Sequence, residues 1–215
     1  MKTVLVIGLG RFGRHICKEL TKLGQEVMAV DKDEECVNAV LPYVTNGIIG
    51  DSTKQEFLKT LGISNYDLCI VAIGDEFQSS LETTCLVKEL GAKEVVARAS
   101  RDVHAKFLLR NGADHVVYPE RQLADWTAIR YSSDMISDYF ELNDEYSLFE
   151  LKIPESWVGR SIGQLDIRKK YKINILGFKH GNEFNLETTS DTIFQSGETM
   201  LVVGRNQDIH KCFHI

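Results

Sequence analysis

Three glycines follow a short apolar run in Val4-Leu5-Val6-Ile7-Gly8-Leu9-Gly10-Arg11-Phe12-Gly13. Their G-x-G-x-x-G spacing suits a strand that turns sharply into a helix and holds a diphosphate against its backbone. Gly8 fits the tight turn, Gly10 the close approach of phosphates, and Gly13 the packing of helix on strand. The motif alone is weak, and its context gives it weight. Val4–Ile7 reads as a strand, and Phe12, Ile16 and Leu20 repeat at i, i+4 and i+8 as on a helix. Arg11 has no evident use in hydride transfer. It stands directly after the second glycine, where a ligand's pyrophosphate would lie.

Carboxylates follow at the ends of further apolar runs. Asp31, in Val30-Asp31-Lys32-Asp33, lies about 20 residues past the glycine turn, where an acid hydrogen-bonds ribose hydroxyls. Alone, Asp31 fits an Asx turn equally well, and Asp33 fits a helix N-cap. Gly50-Asp51-Ser52-Thr53 ends the next run and offers Asp51 to an adenine amino group. Thr53 and Glu56 have the spacing of a capping box, which leaves Asp51 free. Ala72-Ile73-Gly74-Asp75 brings backbone close to a ligand, and Ala97-Arg98-Ala99-Ser100 delivers an arginine. Arg98 has two open readings, a phosphate clamp and a salt bridge to a neighbouring helix. Glu120 also has two, an acid at a helix N-terminus and a ligand for a cation near phosphates.

The elements that must position these residues alternate. Strands are expected at Thr3–Ile7, Glu26–Val30, Thr45–Ile49, Leu68–Ala72, Glu94–Ala97 and His115–Tyr118, with amphipathic helical stretches between them. Parallel neighbours need crossover connections, so the pattern predicts an α/β fold with a doubly wound parallel sheet. Pro119 starts a helix running to about Tyr131, and a second short helix is expected around Ser133–Tyr139. The polar Leu142–Glu145 segment suggests a boundary, giving domains 1–140 and 141–215. The second is a small α+β unit. Its expected strands are Leu148–Ile153, Ile173–Lys179 and Thr199–Val203, with helices at Ser161–Lys170 and Gln207–Phe213 and a turn at His180–Glu183. A unit of that size is marginal alone and is expected to dimerise.

Bulk properties narrow the function. A formal net charge of −6 argues against a nucleic-acid partner, which calls for a basic stripe. No apolar stretch reaches the roughly 18 residues that cross a bilayer, and the N-terminus lacks a signal-peptide pattern, so a cytoplasmic protein is expected. The five cysteines are dispersed, without a C-x-x-C pair, as in a reduced protein. His210-x-Cys212-x-His214 resembles a metal cluster, but a helix would turn Cys212 away from the two histidines.

GLGRFG, VDKD, GDST, VAIGD, VARAS and YPE in order, with a small α+β tail, resemble the KtrA/TrkA-type cytosolic regulatory subunits of bacterial potassium uptake systems. These contain an RCK (regulator of potassium conductance) domain. The resemblance spans essentially the whole chain, in the single N-lobe, single C-lobe form. It implies a Rossmann nucleotide-binding lobe, and homodimers assembling into a ring, commonly an octamer, beneath a membrane potassium channel subunit. It implies ATP, ADP or NAD(H) as ligand, with Gly8, Gly10 and Arg11 at the phosphates, Asp31, Lys32 and Asp33 along the ribose, and Phe12 among the residues that bind it. Asp51 and Ser52 then lie by the adenine, and Ile73, Gly74 and Asp75 form a wall. Arg98, Ala99, Ser100 and His104 close the phosphate end, and Glu120 helps hold a divalent cation or sodium. Arg11 would reach the terminal phosphate of a neighbour's ATP. The segment from Ser161 to Leu176 resembles RCK C-domains that bind cyclic di-AMP, with Ile167, Arg168, Asn174 and Ile175 matching that site.

Two other functions compete. An NAD-dependent dehydrogenase would use the same glycine turn, but the tail is small for a substrate domain and no base has an evident catalytic setting. A nucleotide-sensing repressor would need a helix-turn-helix or basic patch, and the sequence offers neither.

Overall fold

A computed structural model describes residues 1–215, which divide into two compact units, Met1–Arg121 and Gln122–Ile215. In the first, β1 (Thr3–Ile7), α1 (Arg11–Lys22), β2 (Glu26–Asp31), α2 (Glu34–Asn38), β3 (Asn46–Ile49) and α3 (Gln55–Thr60) lead to β4 (Leu68–Val71). Then come α4 (Phe77–Glu89), β5 (Val95–Arg98), α5 (Asp102–Arg110), β6 (His115–Val117) and α6 (Pro119–Tyr131), which begins in the first unit and continues into the second.

The six strands form one parallel sheet in the order β3-β2-β1-β4-β5-β6, the doubly wound arrangement expected. β1 shows why it is central. Leu5 and Ile7 join the core on one face, Val4 and Val6 the core on the other, and all four are buried. A strand covered on both faces by helices must be apolar throughout. The strand order reverses direction at β1 and β4, and there the crevice of such a sheet opens beyond the strands' C-terminal ends.

The second unit contains β7 (Ile136–Glu141), β8 (Tyr146–Lys152), α7 (Ile162–Leu165), α8 (Ile167–Tyr171), β9 (Asn174–His180), β10 (Glu183–Asn185), β11 (Thr199–Arg205) and α9 (Asn206–Phe213). Its antiparallel sheet runs β10-β9-β11-β8-β7. Phe149, Leu151, Phe178, Met200 and Val202 form the core side with Ile209 and Phe213 of α9. The ring of Trp157 lies against Phe194 and Phe213.

Three local expectations change. The helix expected around Ser133–Tyr139 is instead β7, paired antiparallel with β8. The helix expected over 161–170 is two pieces, because Asp166 adopts φ +48° between α7 and α8. The unit division also falls between Arg121 and Gln122, ahead of the boundary expected near residue 141, and places β7 with the second sheet.

Candidate functional site

A cleft of about 860 Å³ lies at the C-terminal ends of the parallel strands, and all six strands or the turns after them contribute to its wall. It is built from the glycine turn outward. Gly8 takes φ +94°, and its amide donates to the Val30 carbonyl at 2.9 Å. A Cβ on Gly8 would stand 2.9 Å from the Ile73 backbone nitrogen, and one on Gly13 only 1.9 Å from the Gly8 carbonyl oxygen. Both glycines are therefore fixed by the fold itself. Gly10 differs: its backbone is extended, and a Cβ there would meet nothing within 4 Å. That open space faces the cleft and is a cradle of the kind a phosphate fills.

Asp31 ties the turn to β2. One carboxylate oxygen accepts from the Leu9 amide at 2.5 Å and the other from the Asp33 amide at 2.9 Å. The Asx turn is thus present, and the carboxylate still lines the cleft with lone pairs to spare. Asp33 caps α2 by accepting from the Glu35 and Cys36 amides. Lys32 reaches Glu76 at 2.7 Å, and Glu76 also accepts from Ser79 at 2.8 Å. The pair joins the end of β2 to the start of α4. The bond raises the Lys32 pKa, while Lys32 and then Ser79 lower that of Glu76.

Asp51 is not free, contrary to expectation. Its Oδ1 accepts from the Thr53 hydroxyl at 2.7 Å and the Thr53 amide at 3.0 Å, contacts that lower its pKa. Thr53 is consequently not an N-cap, and α3 starts after Lys54 without a side-chain cap. Ser52 is buried with its hydroxyl 2.8 Å from that of Thr83.

At the other end, Arg98 donates to Glu120 at 2.5 Å, and its guanidinium lies 5.6 Å from the Phe12 ring centroid. The Arg98 Nε is buried without a hydrogen-bond partner. An unmet donor on a cation in a cleft is a place for an anion oxygen. Gly74 makes room for this arginine, since a Cβ there would sit 2.5 Å from Nη1. Glu120 stands in the first turn of α6, where its own backbone amide and Arg98 lower its pKa. Both sequence readings of Arg98 are therefore compatible in one geometry: it pairs with a helix and keeps a donor over.

Of the anticipated residues, Gly8, Gly10, Arg11, Phe12, Asp31, Lys32, Asp33, Asp51, Ser52, Ile73, Gly74, Asp75, Arg98 and Glu120 meet in this one cleft. Ala99, Ser100 and His104 are not in its wall. Ala99 is buried in the core, and Ser100 lies beyond the strand end. His104 is fully buried, with Nε2 3.1 Å from the Ser80 hydroxyl and its ring 4.9 Å from that of Phe77. Burial, then Arg101, lowers its pKa, so it fastens α5 to α4 as a neutral imidazole. His15, Cys36, Glu76 and Ser79 line the cleft without having been singled out. Glu76 and Ser79 flank the start of α4 just after the Gly74-Asp75 turn, and that position was their signal.

In the second unit, Ile167 is buried in the core, Ile175 is half-buried against it, and Arg168 and Asn174 are exposed. The first of these does not offer an apolar surface to a ligand. No cluster of three metal-ligating side chains forms anywhere. His210 Nδ1 engages the Ile215 carbonyl oxygen, and burial pushes the Cys212 thiol up to about 11. No helix is long and apolar enough to cross a membrane.

The cleft fits a nucleotide on these observations: a bare backbone cradle at Gly10, a donor to spare on Arg98, and carboxylates at the ends of β2 and β3. Comparison with known proteins agrees with its architecture. Family models of the TrkA-N domain and the TrkA-C domain match residues 4–119 and 148–214. The chain is 42% identical to Ktr system potassium uptake protein C of Bacillus subtilis over 210 residues, 98% of this chain and 95% of that one. It is 39% identical to Ktr system potassium uptake protein A of the same organism, over the same shares of the two chains. Among solved structures, the GsuK RCK domain superposes with a TM-score of 0.70 over 99% of this chain at 16% identity. This chain spans about half, 47%, of that one. The GsuK channel bound to NAD gives a TM-score of 0.69 at 17% identity, over 96% of this chain and 38% of that one. With both domain models matched in order and the likeness to the Ktr proteins running nearly end to end, the chain belongs to the TrkA-N family, in the form that joins one TrkA-N domain to one TrkA-C domain.

Proposed function

We propose that the protein is a nucleotide-sensing regulatory subunit of a potassium uptake system and has no catalytic activity of its own. Its relatives are named as potassium uptake proteins, and proteins of the same fold are described with NAD or ADP bound. The observation that carries the reading is Gly10. The fold places no atom where its side chain would be, so the glycine answers to a ligand rather than to packing. ATP or ADP, with NAD(H) as a further ligand, would occupy the cleft. Gly8, Gly10 and Arg98 would face the phosphates, Asp31 the ribose and Asp51 the base. Such a ligand acts as a switch only if it binds one shape of the assembly better than the other. The assembly would be a homodimer within a ring, an octamer by resemblance, on the cytoplasmic side of a membrane potassium channel subunit. Cyclic di-AMP as a second effector would rest on Arg168 and Asn174, the two surface residues of the expected set, and not on the buried Ile167.

The test is calorimetric titration with ATP, ADP and NADH, wild type beside Arg11→Ala. The expected result is binding of the adenine nucleotides without turnover and a selective loss of ATP affinity in the variant. Binding of NADH alone, unchanged by the variant and accompanied by oxidation of NADH with a small substrate, would restore the dehydrogenase reading.

A further inference from the structure

The helix α4 borders the cleft and also has an inward face. The first unit buries five polar side chains, Ser52, Ser80, Thr83, Thr84 and His104, and all five lie between the cleft and α5. α4 turns Ser80, Thr83, Thr84 and Val87 into the protein. Their spacing, i, i+3, i+4 and i+7, is that of the apolar stripe of a core-facing helix, yet three of the four carry hydroxyls. Replacing a buried hydrogen-bonded pair by apolar groups of the same shape is close to neutral, so stability alone does not call for these hydroxyls. Their use is in what they connect.

The partners run in one line. Ser52, in the turn after β3, lines the cleft, and its hydroxyl lies 2.8 Å from that of Thr83. Three residues earlier on α4, the Ser80 hydroxyl lies 3.1 Å from His104 Nε2, and the Thr84 hydroxyl donates to the Ser80 carbonyl at 2.7 Å. On the far side of the imidazole, the Ser100 amide donates to Nδ1 at 3.4 Å. An amide can only donate, so Nδ1 is the acceptor and Nε2 carries the proton, which it gives to Ser80. His104 shares the buried face of α5 with Leu108 alone. The start of α4 meets the cleft as well, through Glu76 and Ser79.

We propose that Thr83, Ser80 and His104 are positioning residues, which hold α4 against the turn of residues 51–53 at one end of the cleft and carry the cleft's occupancy to α5. None of the three lines the cleft. The proposal rests on the nucleotide reading for what fills that space. A ligand seated at Asp51 and Ser52 bears on a turn hydrogen-bonded to α4, and α4 cannot shift without Ser80 drawing on the imidazole. Hydroxyls suit such a joint. A rotating O–H keeps its partner through a small slide, whereas interdigitated apolar side chains resist one.

The test is hydrogen exchange of the full chain, read over α5, without ligand and with saturating ADP, beside calorimetric titration with ADP. Wild type is compared with Thr83→Val, which keeps the side chain's shape and removes the hydroxyl, and with Thr83→Ser, which keeps the hydroxyl. In wild type, ADP should slow α5 exchange about fivefold or more, the low end of ordinary coupling between sites. Thr83→Val should bind ADP without that slowing, and Thr83→Ser should restore it. A merely structural hydroxyl would make α5 of Thr83→Val exchange faster with and without ADP alike and leave the ligand's effect intact. That result would overturn the proposal, as would an α5 that bound ADP leaves unchanged in wild type. Ser80→Ala breaks the line at its next link and takes the place of Thr83→Val if that variant does not fold. If ADP gives no heat of binding with wild type, the nucleotide reading fails and the coupling falls with it, an outcome distinct from ADP that binds without reaching α5.

Discussion

Alanine at position 10 separates what the fold needs from what the ligand needs. Gly10 has φ −62° and ψ −171°, which alanine adopts without strain, and its Cβ would touch nothing within 4 Å. Removing glycine's freedom from the unfolded chain gains about 0.4–1 kcal/mol. Glycine is also the N-cap of α1, where alanine is poorer by about 0.5–1 kcal/mol. The two offset, so stability should change by no more than about 0.5 kcal/mol. At about 2–4 °C per kcal/mol for a chain of this size, Tm should move by about 2 °C or less.

Binding should change far more. A methyl group in the cradle holds a phosphate away from the backbone and costs at least one charge-assisted hydrogen bond, about 1.5–3 kcal/mol, or about ten- to a hundredfold in affinity. Gly13→Ala is the contrast, because its Cβ would lie 1.9 Å from the Gly8 carbonyl oxygen, a backbone atom. Overpacking of that kind costs about 3 kcal/mol and should lower Tm by about 6–12 °C. The assay is a thermal melt with and without ADP, paired with calorimetry. If Gly10→Ala binds ADP as wild type does, phosphates do not lie at the glycine turn, and the placement of the ligand in this cleft is wrong.

Two further outcomes follow from the same geometry. Gly74→Ala puts a methyl 2.5 Å from Arg98 Nη1, a movable side-chain end, so the fold should tolerate it while Arg98 leaves Glu120; calorimetry should show weaker ATP binding with Tm nearly unchanged, and full ATP affinity would remove Arg98 from the site. Lys93 and Thr3 hold the Asp67 carboxyl down at about 2 from an ordinary 3.8. With the folded pKa depressed, the contribution is present above pH 3.8 and is lost as pH falls through about 2, so Asp67→Asn should lower Tm across the neutral range and flatten the fall in stability between pH 3.8 and about 2, which melts run as a function of pH would check.

The parallel sheet was legible because each central strand is an unbroken apolar run, and a run buried on both faces needs no partner to be recognised. β7 was not legible, for a specific reason. A register shift between Ile136 and Asp138 breaks the alternation of two, so the buried Ile136 and Tyr139 fall three apart and imitate a helical repeat. The family resemblance puts His104 at the phosphate end, but the phase of α5 turns it inward with Leu108, four residues on. Asp51 was expected to be free because Thr53 and Glu56 have capping-box spacing. The carboxylate captured Thr53 first, and the reciprocal box formed instead at Ser161 and Gln164. The glycine turn and the acid that ends β2 were readable because their roles depend on backbone shape and spacing, whereas the misses turned on a strand register shift, a helix phase and a competing local hydrogen bond.

If the proposed function holds, the geometry of Arg98 and Glu120 is where occupancy of the cleft would be felt by the helix that follows it. In the cleft described here, the guanidinium is shared by a carboxylate, an aromatic face and one unmet donor. A phosphate oxygen that took the unmet donor would share the guanidinium with Glu120 and weaken that pair, because the arginine's side chain is largely enclosed and has little room to serve two anions. A Glu120 loosened in this way would still have its own backbone amide lowering its pKa, apart from Arg98. It would then be a less tightly paired carboxylate in the first turn of α6. Lys32 and Glu76 give the opposite side of the cleft the same character, an exposed pair worth little in stability and therefore inexpensive to exchange. Contacts that a ligand replaces at small cost, placed where helices begin, would serve a sensor if they are exchanged in one shape of the assembly and kept in the other.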